Sequence, residues 1–342
     1  MARPAAAHDP DDKPEVPASA AEHGMARRGK WQGPTYYGRP QLKEAPFENW
    51  VVGGYIFLAG LSGGSAVISA IADAAAGREQ AGTVRRGRYL AMLAPTLGSL
   101  LLIYDLHTPA RFYNMLRVAK GTSPMSIGTW LLMAFSGFAG FNAAAQMLSG
   151  WQPRWRRLHG LMRAVQVPAA ATGAGLATYT AALLAATSTP LWAAAPRALA
   201  VRFGSSSIAA SAAALSLGER RPRGRRALDT IALAALTTEL VATAASHRRY
   251  RQAGVAEALD GRSGTAELLG ATGLGALLPL GLYAASLALG GRGSRLSSLA
   301  SVATLAGSLA LRISIMGAGD DSANRPEVSF RFASPDNLKR VA

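Results

Sequence analysis

Residues 101–130 read LLIYDLHTPARFYNMLRVAKGTSPMSIGTW, and two long apolar runs meet there. An acid, Asp105, and an imidazole, His107, stand where the first run ends. A short amphipathic piece follows, in which Arg111, Arg117 and Lys120 lie beside Phe112, Tyr113, Met115 and Leu116. Ser123-Pro124 then opens the second run. Proline suits a helix start because its missing N–H has no partner there anyway. The stretch therefore predicts a helix end, a surface helix and a helix start. A membrane re-entry loop with basic anchors reads equally well, since charged residues at helix ends are ordinary.

The same alternation runs from one end of the protein to the other. Of 342 residues 49% are hydrophobic and only 16% charged, and the apolar ones come in blocks. A helix needs about 20 apolar residues to cross the hydrocarbon core. Blocks of that kind occupy 50–72, 89–106, 125–148, 160–186, 197–217, 227–246, 265–289 and 296–316. They are rich in Ala, Leu and Gly and do not alternate as barrel strands would. A soluble helix carries one apolar stripe, not an apolar circumference. The expectation is an all-α polytopic membrane protein, a multi-pass bundle of about eight helices over 50–316. Residues 1–30 read as a disordered tail, 31–49 as an aromatic pre-membrane segment and 317–342 as a polar tail. Gly60 and Gly64 form a small-xxx-small pair that lets another helix approach.

The net charge of +16 sits in loops flanking the spans, the membrane pattern, and not on one face interleaved with aromatics as nucleic-acid binding requires. There is no cysteine, so the protein offers no thiolate for an iron–sulfur cluster or a c-type haem. The five histidines, His8, His23, His107, His159 and His247, form no axial pair within the spans, and b-type haem is not expected. No metal site is expected. Electrons, if handled, pass through metal held by another subunit.

Consecutive spans alternate direction, which sorts the polar residues by face. The N-face is the side where span one begins. Tyr55 starts span one, Asp105 and His107 end span two, Tyr179 lies late in span four, Arg202 early in span five, Glu239 late in span six and Arg312 late in span eight. All fall in the N-face half, and the other half reads as nearly free of polar groups. An ionisable group inside a membrane is costly, so it lines a cavity or pairs. Glu239 with Arg202 or Arg312 reads as a structural ion pair or a proton-transfer group. Tyr55, Asp105, His107 and Tyr179 offer hydroxyl, carboxyl and imidazole groups beside apolar walls. That set suits a ligand with two polar oxygens and an apolar tail, as a quinone has, and its carboxyl and imidazole groups can relay protons. Far-side loops hold 14 arginines against 8 lysines and arginines in the N-face loops, which puts the N-face outside.

Four stretches carry a family resemblance: YYGRPQLKEAPFENWVVGGYIFLAGLSGGS (36–65), DLHTPARFYNMLRVAKGTSPMSIGTW (105–130), TYTAALLAATSTPLW (178–192) and LRISIMGAGDDSANRPE (311–327). Over about residues 34–330 the protein resembles the polysulfide reductase membrane-subunit family, NrfD/PsrC. D-L-x-x-P-x-R-F with S-P-M-S-x-G-x-W is the most specific part. The resemblance implies a haem-free cell-membrane subunit of an oxidoreductase complex. Such a subunit anchors a ferredoxin-like four-cluster iron–sulfur subunit wired to a molybdopterin catalytic subunit, as in formate dehydrogenase. It exchanges electrons with menaquinone or ubiquinone at the iron–sulfur face, here the N-face. By the same resemblance Tyr55, His107 and Tyr179 match quinone-site positions. Relatives often carry histidine at the first, Gly-Arg in place of His107-Thr108, and an acid in the segment holding Ala186. The expected partner-docking residues are Arg111, Arg117, Lys120 and Trp50, and membrane lipid surrounds the bundle. The rival readings are an anchor without quinone chemistry and an ion- or solute-translocating protein.

Overall fold

Proline marks where several helices begin. In the computed structural model, which describes residues 42, 48–106, 109–117, 119–151 and 158–334, α3 (Pro124–Trp151), α5 (Pro196–Leu217) and α6 (Pro222–Gln252) each start at a proline. The other long helices are α1 (Asn49–Ala76), α2 (Ala81–Asp105), α4 (His159–Ala185), α7 (Arg262–Leu289) and α8 (Ser294–Ala323). Among the described residues these eight are long and apolar enough to cross a membrane. The protein is a multi-pass, all-α membrane protein. The tail 1–30 and nearly all of 31–49 lie outside the described residues.

α1 is the hub. It packs on α2, α4, α5 and α8, while α3 packs on α4, α5 on α6, and α7 on α8. Two halves, α1–α4 and α5–α8, thus meet along α1, α4 and α5. The expected small-residue face of α1 is turned to α5: a Cβ on Gly60 would strike Ser207, and one on Gly64 would strike Ser211. The backbones can approach that closely only without side chains there.

Two spans are not regular. α2 is helical to Leu90, widens into a π turn over Ala94–Gly98, and resumes over Ser99–Asp105. Pro95 cannot donate a backbone bond, and its ring disrupts the ladder. Ser62 of α1 repairs part of the break: its hydroxyl accepts from the Ala94 N–H (2.8 Å) and donates to the Leu90 carbonyl (3.3 Å). α7 carries a longer π stretch, Ala266–Leu277, which changes the faces its side chains present.

The helices outrun the apolar blocks at several ends. α2 begins eight residues before 89, α6 begins at 222 and not 227, and α8 continues past 316 to Ala323. The last extension is helical and largely buried, where the sequence turns polar. There the Asp320 carboxylate accepts from Asn49 Nδ2 at 2.9 Å, and Trp192 donates to the Ile315 carbonyl at 2.8 Å. A short helix, Pro326–Phe332, follows.

Candidate functional site

On the N-face, the ends of α1 and α2 are tied together. Asp105 Oδ1 accepts the backbone N–H of Glu48 at 3.3 Å, just before α1 begins. A carboxylate there also faces the positive end of the helix dipole. Tyr55 lies six residues into α1, about 9 Å deeper along the axis. Its ring packs toward α2, where a Cβ on Gly98 would lie 3.4 Å from Tyr55 Cδ2. Tyr55 is half-buried and hydrogen-bonds to no other described residue. It does interact electrostatically with Tyr179 of α4.

Tyr179 reaches across to the first turns of α3, where its hydroxyl donates to the Pro124 carbonyl. Its ring occupies the space that a side chain at residue 128 would take, because a Cβ on Gly128 would overlap the ring and the hydroxyl. This gives a physical reason for the S-P-M-S-x-G pattern. Pro124 supplies an acceptor carbonyl, Gly128 clears the ring, and Ser126 Oγ accepts the Lys120 N–H at 2.9 Å, closing the loop onto the helix. Tyr55, against α2, and Tyr179, against α3, are therefore both half-buried on the N-face side of the first four helices. α2 also carries Leu97, Leu100 and Tyr104, exposed at 52, 63 and 69%, an apolar approach from the lipid.

His107 lies outside the described residues, as does the side chain of Arg111. Arg117 and Lys120 are exposed beside the exposed Phe112, Tyr113 and Met125. Trp50 is also exposed, and its Nε1 donates to Glu48 at 2.8 Å. This face combines cations and aromatics outside the helical bundle.

The expected ion pair changes partner. Arg202 meets Glu267 of α7, not Glu239, and both are 1% exposed. His247, at the aqueous end of α6, lies 3.2 Å from the other Glu267 oxygen. Arg312 has no carboxylate within 4.0 Å among the described residues. It is solvated instead by Ser206 Oγ (2.7 Å), Ser308 Oγ (2.5 Å), Ser207 Oγ (3.0 Å) and the carbonyls of Ser308 and Phe203. Glu239 is buried at 4% exposure near both arginines but forms no ion pair within 4.0 Å among the described residues. The pairing was illegible because it joins two distant spans, and span order alone does not say which helices touch. Glu267 itself carried a signal: a lone acid three residues inside an apolar block.

From there a stripe of small hydroxyls follows one face of α8 through Ser308, Thr304, Ser301 and Ser297, all buried. Tyr283 of α7 joins it at Ser301 (2.9 Å), and Ser297 donates to Asp229 of α6 at 2.9 Å. Buried hydroxyls thus recur along α8 from Ser308, beside Arg312, to Ser297, which bonds Asp229 near the far face.

The far half is consequently not free of polar groups, which corrects the sequence expectation. Arg88 is 5% exposed and bonds to Gln166 (2.8 Å), Gln146 (2.8 Å) and Asp73 (3.4 Å). The apolar block had placed Arg88 in a loop, whereas the helix begins before it. In the α5–α6 loop, Glu219 accepts from Thr83 (2.6 Å) and the Arg221 N–H (2.9 Å) and pairs with Arg86. Burial pushes its carboxyl up, but these hydrogen bonds and the Arg86 charge hold it below the usual carboxylate range.

Two comparisons bear on this arrangement. The C subunit of polysulfide reductase from Wolinella succinogenes is 34% identical over 90 residues, an overlap of 25% of this protein and 28% of that relative. The sequence therefore aligns with less than a third of the curated relative it matches. The polysulphide reductase NrfD family matches residues 41–321, which include all eight long helices almost to the end of α8. On that coverage, the chain belongs to the polysulphide reductase NrfD family.

Proposed function

We propose that this protein is the haem-free membrane subunit of an oxidoreductase complex and exchanges electrons with quinone at its N-face. The observation that carries the proposal is the placement of two half-buried tyrosines, Tyr55 and Tyr179, in the N-face half, with Tyr55 packed on α2, whose other side chains Leu97, Leu100 and Tyr104 are exposed. Residues present there fit a quinone headgroup. Tyr55 has a hydroxyl with no partner among the described residues, able to donate to a carbonyl oxygen. Tyr179 is fixed by Pro124 and Gly128, so its ring forms a wall of defined position. The isoprenoid tail can leave between α2 and the lipid along Leu97 and Leu100.

A bound quinone takes up two electrons and two protons. This protein's own groups orient the headgroup and deliver protons. Asp105, half-buried at the end of α2, is the proposed carboxylate of that proton supply and also holds α1 to α2. His107 belongs to the same proposed supply on sequence grounds. The electrons arrive from an iron–sulfur partner, for which the face carrying Arg117, Lys120, Trp50 and Arg111 is the proposed seat, with a molybdopterin subunit beyond it in the cell-membrane complex. Glu239, with Arg202 and Arg312, keeps a proposed proton-transfer role among the buried polar groups of α5–α8.

The test is Tyr179→Phe in the assembled complex. Quinone-coupled turnover is expected to fall about tenfold, the effect of losing one positioned hydrogen bond, while dye-linked turnover of the catalytic subunit stays constant. Equal quinone turnover in the variant and the wild type removes Tyr179 from the site.

A further inference from the structure

Three arginines of the far face line a cavity that the quinone reading does not use. It measures about 180 Å³ and is lined by Arg220, Pro222, Arg225, Arg226, Asp229, Ser286, Gly290 and Ser294. Its walls are the start of α6, the end of α7 and the start of α8. Gly290 has φ +63°, a left-handed turn that glycine adopts without strain. The absence of a side chain there also leaves room for Arg226, since a Cβ on Gly290 would lie 2.9 Å from Arg226 Nη2.

We propose that this cavity binds a phosphate group, supplied by the headgroup of an anionic phospholipid in the far leaflet. Three observations support it independently of the quinone site. First, Arg220, Arg225 and Arg226 form no ion pair among the described residues. Arg225 donates only to the Glu219 carbonyl at 2.9 Å. Asp229, the one acid of the lining, has Oδ1 occupied by the hydroxyls of Ser216 (2.7 Å) and Ser297 (2.9 Å). The lining keeps a net charge of two positive. Second, α6 and α8 both begin at this cavity with no capping side chain. Their dipoles add positive potential at the same place. Third, the neighbouring helix ends expose Leu217 (42%) and Leu289 (57%), apolar surface for the acyl chains below the headgroup. A basic pocket between transmembrane helices on the arginine-rich side is the setting in which acidic headgroups bind. A soluble phosphate would use the same cations but gain nothing from the leucines.

The test uses the full-length protein in nanodiscs and counts bound lipid by native mass spectrometry. Phosphatidylglycerol is the probe, with phosphatidylcholine and millimolar inorganic phosphate as comparison arms. Arg225→Gln/Arg226→Gln is expected to hold phosphatidylglycerol roughly thirtyfold more weakly than wild type, about fivefold per arginine. Arg295→Gln, an exposed arginine outside the lining, is expected to match wild type. Phosphatidylcholine is expected not to compete. If inorganic phosphate displaces the lipid at equal occupancy, the site serves a soluble anion and the lipid assignment falls. Retention unchanged in the double variant removes the site altogether. Should the double variant not fold, Arg226→Gln alone, at an exposed position, carries the same reading at fivefold.

Discussion

Glu267→Ala is expected to destabilise the bundle by about 3–5 kcal/mol, because it strands a buried cation. Arg202 is 1% exposed, and its Nε and Nη1 have no hydrogen-bond partner among the described residues. Its one ion pair among the described residues is with Glu267. Removing that carboxylate leaves a buried guanidinium without its ion pair, with Glu239 the remaining nearby acid. Glu267→Gln keeps an acceptor and should lose less. His247→Ala should lose least, since the ring is 28% exposed and its position is rehydrated. Denaturation midpoints of the three variants in one detergent give the order. A loss under about 1 kcal/mol for Glu267→Ala would mean that Arg202 is solvated by other means, as Arg312 is by its serines.

Gly128→Ala is expected to act on function more than on stability. The added methyl would occupy the Tyr179 ring and hydroxyl, so the ring must leave its bond to Pro124. Overpacking of this kind costs about 1–3 kcal/mol. An ångström-scale shift of a positioning group lowers turnover by about tenfold to a hundredfold. Quinone-coupled turnover of the complex should fall in that range with dye-linked turnover preserved. Full quinone turnover in a variant of lowered melting temperature would show that the ring's position is a matter of packing alone.

Both substitutions mark what sequence reading can and cannot supply. The eight spans are legible because a lipid-exposed helix must be apolar around its circumference, and length then fixes their number. The shared face of Tyr55, Asp105 and Tyr179 is legible because direction alternates from span to span. Helix ends are less so: Arg88 and Asp320 look like loop residues, yet each is buried against partners from other helices, which hydropathy does not register. Partners are the least legible. Glu239 with Arg202 or Arg312 reads as a natural pair, but Arg202 pairs with Glu267 of α7 instead. Gly128 belonged to a recognised pattern, and only the position of the Tyr179 ring explains it.

Everything proposed for quinone depends on a headgroup site at the N-face between α1, α2 and α4. Photolabelling of the membrane-bound complex with an azido-quinone, followed by peptide mapping, locates that site. Adducts are expected near Tyr55, in 97–104 of α2 and near Tyr179, all suppressed by excess unlabelled quinone. Suppressible adducts confined to α5–α8, or to the far ends of the helices, would place the headgroup elsewhere and contradict the proposal.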